Sequence, residues 1–361
     1  MDNRGKLTVL VGGQYGSEGK GAIVANIAND YDVHVRVGSP NAGHTIYWND
    51  EKHVMQSIPC GWINPNAKIL IGRGALINMR LLMNELVHIL QYYPDFLKRF
   101  FIDAEAGILD EKFHEQEGGI HGEMHHRIGS TGEGVGPARV ARINRDPAQF
   151  RQFKDVAKDY GLEGCICDST PWLLATWQDI GKNILIEGTQ GSGLSLLHSN
   201  WPYCTSIDTN AAGIISEVGI APSRVTDVIL VCRTYPIRVH GNSGPMRDEI
   251  SWDDLNKSIS RKGGIPIIPE RTTVTKKTRR IGMWDKDLVT KSIVLNNPTE
   301  YAITFADYVD PSLYNVMDYD RVSKSEEFMA FVTSSGIPIN KIRYIGTGPS
   351  TVVRVGERQW Q

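Results

Sequence analysis

Cysteine is scarce in this chain, and what there is does not pair by spacing. The five cysteines (Cys60, Cys165, Cys167, Cys204 and Cys232) are odd in number and include no CxxC motif. That excludes a disulfide-stapled scaffold and fits free thiols in a reducing cytoplasm. Cys165 and Cys167 read as buried or idle thiols rather than a redox pair. Charge of one sign is also lacking. Lys and Arg number 39 against 41 Asp and Glu, a net charge of -2, so no global field recruits nucleic acid or an anionic membrane and any phosphate binding must be local. Nothing approaches the roughly 18 consecutive apolar residues that span a bilayer. The opening MDNRGKLTVLVGG carries an apolar run too short for a signal segment. The expectation is a soluble, cytoplasmic protein.

What is present is a series of short β-branched runs, each followed by a Gly-rich or polar loop: Leu7–Val11, Val33–Val37, Ile69–Ile71, Asn183–Ile186, Val225–Val231, Tyr301–Phe305 and Ile342–Ile345. Several lack polar alternation, which predicts strands buried on both faces. Helical spacing lies between them, as in Lys20–Ala28 and Met79–Leu90. The alternation predicts an α/β fold with a mainly parallel sheet flanked by helices, and ligand-binding loops after the strands. With 361 residues and no repeat, low-complexity tract or linker, the chain reads as a single domain, 1–361, with loop insertions.

The first strand runs into "VLVGGQYGSEGKGAIVANIAND" (Val9 to Asp30). A standard phosphate loop reads G-x-x-x-x-G-K-[ST], its amides and lysine cradling phosphates and its hydroxyl holding Mg²⁺. Here Gly19 and Lys20 match, but Gly13 is one residue too far away and Gly21 occupies the hydroxyl position. Strand, glycine loop and helix start still come in order, so the amides near Gly19, Lys20, Gly21 and Ala22 are placed to bind phosphate. Four further segments add to it: "GSPNAGHT" (Gly38–Thr45), "GSTGEGVGP" (Gly129–Pro137), "IEGTQGSG" (Ile186–Gly193) and "TTVTKKTRRIG" (Thr272–Gly282).

Taken together, these motifs resemble the adenylosuccinate synthetase family over essentially the whole chain. GQYGSEGKG is similar to that family's GQWGDEGKG, and NAGHT, STGxGxGP, EGxQG, PYCTS and a terminal GTGP (Gly346–Pro349) follow in family order. The length is similar to the compact archaeal-like branch. The resemblance implies a P-loop-NTPase-like fold, Mg²⁺ as cofactor, and a homodimer in which Arg142 is donated across the interface. It implies a ligase that transfers the γ-phosphoryl of a nucleoside triphosphate to O6 of a purine nucleotide, after which the amine of L-aspartate displaces phosphate.

By the same resemblance, Gly16 to Ala22, with Ser17, Glu18 and Lys20, would bind the donor phosphates, and Asp307, Thr347 and Gly348 the donor base. His44 would act as general acid and Gln190 would orient the purine. Asn41, Ser130, Thr131, Thr205 and Val239 would hold the substrate nucleotide. Thr273, Val274, Thr275, Lys277 and Arg279 would hold aspartate, for which a planar guanidinium is suited. Ser17 and Gly43 would ligate the metal.

The departures carry information. At Ser17 the family has an aspartate that deprotonates purine N1 and ligates Mg²⁺; serine is no base without a partner. A shorter, uncharged side chain leaves room for a 2-amino group and accepts a hydrogen bond from it. That resembles the viral branch making 2-aminoadenylosuccinate from dGMP for diaminopurine DNA. Ordinary adenylosuccinate synthesis from IMP with GTP, or a catalytically dead nucleotide-binding relative, are the alternatives, and Glu18 or a metal-bound water are candidates to take the N1 proton. Phe305 stands where the family usually has a lysine over the donor guanine, which opens ATP or dATP beside GTP as donor. Glu133 replaces an arginine. The segment "HEQEGGIHGEMHH" (His114–His126) lacks zinc spacing and reads as surface or dimer contact.

Overall fold

The computed structural model describes residues 5–272 and 276–356. Its centre is a ten-stranded sheet formed by β1 (Leu7–Gly12), β2 (Val33–Arg36), β3 (Lys68–Ile71), β4 (Phe100–Asp103), β5 (Ile166–Cys167), β6 (Ile184–Glu187), β7 (Asp227–Arg233), β8 (Glu300–Thr304), β9 (Ile342–Gly346) and β10 (Val352–Arg354). The order across the sheet is β10-β9-β8-β7-β1-β6-β2-β3-β4-β5. Every pairing is parallel except the edge pair β9–β10. All seven strands expected from the apolar runs form, because strands covered on both faces by helices bury every side chain, as β1 and β2 do throughout. β7 starts two residues later than expected, since the Thr226 hydroxyl accepts from Leu7 N (2.9 Å) ahead of the ladder. Two apolar clusters, one on each face of the sheet, form the core; Leu10, Ile23 and Trp62 belong to one, Val9, Leu230 and Phe328 to the other.

Chain direction across the sheet reverses around β1, which lies between β6 and β7. In open parallel sheets the crevice at such a point, outside the carboxyl ends of the strands, is where ligands sit. The loops after β1, β2, β6, β7, β8 and β9 all gather along that edge. A three-stranded antiparallel sheet (Ile237–Arg238, Glu249–Ile250 and Arg280–Gly282) stands beside it.

An antiparallel hairpin, His44–Trp48 with Glu51–Met55, also rises there. His44 therefore opens a strand rather than lying on a free loop, because the run His44–Trp48 finds a pairing partner across the Asn49–Asp50 turn. The hairpin's exit is held by Glu85 of the helix Met79–Leu90, whose buried carboxylate accepts the backbone N–H groups of Gln56, Ser57 (3.1 Å) and Ile58 (2.8 Å). Glu85→Ala would leave these buried donors without an acceptor, and is expected to cost about 3 kcal/mol in urea denaturation. A loss below about 1 kcal/mol would show that water replaces the carboxylate there.

Candidate active site

The loop after β1 is shaped by left-handed backbone at Gly16 (φ 87°), Ser17 (φ 58°) and Gly19 (φ 85°). Such turns aim successive N–H groups into one concavity. Gly19 precedes helix α1 (Lys20–Ile27), whose first turn has no side-chain cap, so its amides are left for an anion. The missing P-loop hydroxyl has a steric reason. A Cβ at Gly21 would lie 2.5 Å from the Thr45 carbonyl oxygen of the hairpin, so the hairpin packs where a Ser or Thr would stand.

Glu18 holds the loop from inside. Fully buried, it accepts from Gln14 N (3.1 Å) and Gly16 N (2.8 Å) through Oε1 and from Lys20 Nζ (2.7 Å) through Oε2. Both oxygens are engaged away from the cleft, so Glu18 is not available to take a substrate proton, contrary to one expectation above. Lys20 also donates to the Gln190 carbonyl, and Thr304 Oγ1 donates to the Glu18 carbonyl (2.6 Å).

The loops enclose a cleft lined by Gly16, Ser17, Lys20, Asn41, Gly43, His44, Ser130, Thr131, Gln190, Thr205, Val239 and Arg279. Twelve expected residues thus converge from separate loops and the hairpin. Gln190 Nε2 donates to Thr205 Oγ1 (3.0 Å), fixing the amide against the opposite wall. Glu18, Gly19, Gly21 and Ala22 contribute the loop's backbone behind it.

Other expected residues lie elsewhere. Arg142 is outside the cleft of its own chain; it donates to the Arg73 carbonyl (3.2 Å) and stacks on Phe150. Lys277 is exposed, 3.3 Å from His125 Nε2. Asp307 follows β8, and Thr347 and Gly348 follow β9, neighbours of the phosphate loop on its other side. Thr347 is fully buried, with its hydroxyl donated to the Val316 carbonyl (2.7 Å), its N–H to the Thr351 carbonyl (3.0 Å) and its own carbonyl accepting from Asn315 N (3.0 Å), so it shapes the turn after β9 with its polar groups already engaged. Burial pushes the Asp307 carboxyl up to about 7. Thr273, Val274 and Thr275 lie outside the described residues.

Sequence reading missed several groups. Glu187, the last residue of β6, sits opposite Arg36 of β2 in register. It accepts from His44 Nδ1 and from Cys60 N (2.7 Å), with Arg36 Nη1 3.6 Å away. Burial alone would raise its carboxyl, but the His44 hydrogen bond, the His44 and Arg36 charges and the Cys60 N–H bring it down to about 2. Burial, then the Arg36 charge, lowers His44 to about 4. His44 is therefore neutral, its Nδ1–H turned to Glu187 and its buried Nε2 without a partner. A base held by an orienting carboxylate, with its second nitrogen free, is the arrangement proton transfer needs.

Arg238, stacked 4.2 Å over Tyr15, and Glu117 also line the cleft. Glu117 accepts from Ser130 Oγ and Gly134 N, so part of the His114–His126 segment builds the site rather than a surface contact. Among the described residues, Glu117 is the sole carboxylate of the lining, against Lys20, Arg238 and Arg279. The cleft therefore suits anions despite the near-neutral chain.

Among the described residues, the group with metal-ligand geometry is His44, Cys60 and Glu187. It offers a thiol and an imidazole, and its carboxylate already serves His44 and Cys60 N, whereas Mg²⁺ takes oxygen ligands. Ser17 and Gly43 present a hydroxyl and a carbonyl oxygen along the cleft. That donor set fits Mg²⁺ held chiefly by substrate phosphates.

The model of the adenylosuccinate synthetase family matches residues 9–161 and 146–328. Among curated relatives, the adenylosuccinate synthetase of Thermococcus onnurineus is 35% identical over 352 residues, covering 94% of this chain and 95% of the relative. That of Archaeoglobus fulgidus is 36% identical over 347 residues, covering 95% of each. Among solved structures, the cyanophage S-2L succinoaminodeoxyadenylate synthetase, bound to dGMP and dATP as an energy donor, superimposes with TM-score 0.78 at 27% identity, covering 97% of this chain and 95% of that one. Fully ligated adenylosuccinate synthetase from Plasmodium falciparum gives 0.81 at 20% identity, covering 98% and 100%, a likeness of fold.

The depressed histidines predict acid sensitivity. Both His44 and His34 fall from 6.5 to about 4 through burial. Between those values the unfolded chain takes up protons that the folded chain refuses, so stability is complete above 6.5 and is lost as pH falls. His44→Gln is expected to remove about one proton from the slope of stability against pH in that window. An unchanged slope would mean that His44 is already charged when folded.

Proposed function

Because the chain belongs to the adenylosuccinate synthetase family, we propose that it joins the amine of L-aspartate to C6 of dGMP, giving 2-amino-2'-deoxyadenylosuccinate. At the family level it is a carbon–nitrogen ligase acting on a purine nucleotide through a phosphorylated intermediate. The guanine reading rests on one observation. Ser17, neutral and short, lines the cleft where the resembling loop carries an aspartate. An acidic side chain there suits a bare C2–H; a hydroxyl leaves space for a 2-amino group and accepts from it. The cyanophage enzyme bound to dGMP is a structural neighbour over nearly the whole chain.

In this reading the cationic lining draws in the phosphates and the aspartate carboxylates. Lys20 and the loop amides stabilise charge on the transferring phosphoryl group. Mg²⁺, when bound through Ser17, Gly43 and the phosphates, supplies further neutralisation. O6 attacks the γ-phosphorus, the bond to the leaving nucleoside diphosphate breaks, and the N1 proton passes to water. Aspartate nitrogen then attacks C6, phosphate leaves, and the amine loses a proton. His44 Nε2 is the free nitrogen through which protons at the departing oxygen are handled, with Glu187 stabilising the cationic ring. Gln190, braced by Thr205, orients the purine. The donor reading is ATP or dATP: Phe305 offers an apolar wall, and a carboxyl lifted to about 7 at Asp307 can both donate to and accept from an adenine edge. Arg142, outside its own cleft, is the residue a second copy would contribute.

The curated relatives favour a second reading, IMP with GTP, since they carry the name adenylosuccinate synthetase at 35% and 36% identity. Purified protein with Mg²⁺, aspartate and ATP, dATP or GTP, offered dGMP, GMP or IMP, separates the two by phosphate release and a new ultraviolet-absorbing product. Turnover of dGMP at least about tenfold above IMP in kcat/KM is expected. Turnover of IMP alone would establish the second reading, and none with any nucleotide would mean a nucleotide-binding relative without catalysis. Ser17 already has the left-handed backbone that Asp tolerates, so Ser17→Asp should keep the fold and move preference toward IMP.

A further inference from the structure

Arg233 ends β7, carries a side chain with no exposure, and has no part in the chemistry above. Its backbone is clamped to the first loop: Arg233 N donates to Gln14 Oε1 (2.9 Å) and Arg233 O accepts from Gln14 Nε2 (3.0 Å). Its guanidinium reaches three segments at once. Nη1 donates to the carbonyl oxygen of Ser17 (3.1 Å) and to Glu270 Oε2 (3.2 Å), and Nη2 donates to Glu270 Oε1 (2.5 Å). Cζ lies 3.9 Å above the centre of the Phe305 ring, in the segment that carries Asp307.

Glu270 sits at the foot of the loop that ends at Arg279. Its carbonyl accepts from Arg279 N (2.8 Å), and Arg271 pairs with Thr278 one step on. Tyr308 OH donates to the same carboxylate (3.3 Å). A two-pronged ion pair in these surroundings contributes little net stability, because desolvation of the charges offsets their attraction. Its consequence is geometric, since a planar fork satisfied on both prongs fixes distance and angle together.

We propose that Arg233 is a positioning residue that sets Glu270 and, through its backbone, Arg279, the cationic group for aspartate, against Ser17 of the phosphate loop. The inference rests on the ligase reading for the identity of the small substrate, and on geometry alone for the coupling. Phe305 serves as the platform that holds the guanidinium plane. Lysine at position 233 would keep the charge but lose the fork and the stack.

Two variants test it, Arg233→Lys and Glu270→Gln, with the double variant Arg233→Met/Glu270→Met as a packed, uncharged replacement should either single change unfold the chain. Steady-state kinetics on the intact protein should show KM for aspartate raised at least about tenfold, with KM for the purine monophosphate within about twofold. Trypsin should cut after Lys276 and Lys277 correspondingly faster, mapped by mass spectrometry, at a temperature well below each variant's own melting transition. Parallel shifts of both KM values, or unchanged cutting, would overturn the proposal. If the unsubstituted protein turns over neither dGMP nor IMP, the ligase reading fails, and the trypsin rates alone decide the positioning role.

Discussion

The carboxylate of Glu18 is the contact on which the rest of the site depends. It is wholly enclosed, and each of its oxygens is taken by a group that would otherwise be lost or disordered: the amides of Gln14 and Gly16, and the ammonium of Lys20. An unpaired buried charge is costly, so the loop cannot relax without exposing either the carboxylate or its partners. The constraint extends outward. A Cβ at Gly191 would stand 2.2 Å from Glu18 Oε1, so the β6 loop comes close only because it is glycine there. That approach brings the Gln190 carbonyl to Lys20 and its amide to the cleft. Thr304, at the end of β8, binds the backbone oxygen of the same residue. Three strand ends are thus registered on Glu18, two through its side chain and β8 through its backbone carbonyl.

A second buried carboxylate, Glu187, does for the proton-handling side what Glu18 does for the phosphate side. The two differ in their counter-charges. Glu18 faces Lys20, which a phosphate can draw away. Glu187 faces Arg36, whose other donors are spent on the carbonyls of Ala42, Met55 and Ile58. That guanidinium ties the Gly38–Thr45 loop and the hairpin to the sheet and is not free to move. One half of the cleft is accordingly built for exchange of partners and the other for rigidity. This suits a reaction in which phosphates come and go past a fixed histidine.

Much of this was legible in the sequence, and the illegible part has a physical pattern. Central strands such as Ile184–Glu187 and Asp227–Arg233 announce themselves because double burial forces continuous apolar runs. The short edge strands Ile166–Cys167 and Val352–Arg354 do not, since their strand character comes from pairing rather than composition. The glycine loops stand out because close backbone approach demands glycine at fixed spacing, and the roles of the cleft residues on them came from the family resemblance those loops carry. Glu187, Arg233, Arg36 and Glu117 were not, because nothing in a single sequence separates a buried, paired charge from a solvated one. Glu117 sat among histidines and glutamates that looked like a surface, and only its bonds to Ser130 and Gly134 reveal that it shapes the Ser130–Thr131 turn.

Replacing a carboxylate by a hydroxyl at position 17 has consequences for charge as well as shape. With Ser17 in place, the described lining holds a single carboxylate, Glu117, and that one is occupied with loop donors. Lys20 is held by Glu18 behind the lining, so Arg238 and Arg279 are the cations that face a cleft with no free anion until substrates arrive. Phosphates and aspartate supply what the protein omits, and each bound anion lowers the repulsion the next cation feels. Such a site gains more from anionic ligands than one carrying its own acid, while losing a built-in base. The chemistry must then draw the N1 proton away through water or the metal shell. In the proposed reading, selectivity and proton economy are thus set by the same residue. That is why the nucleotide preference and the loss of the acid at position 17 stand or fall together.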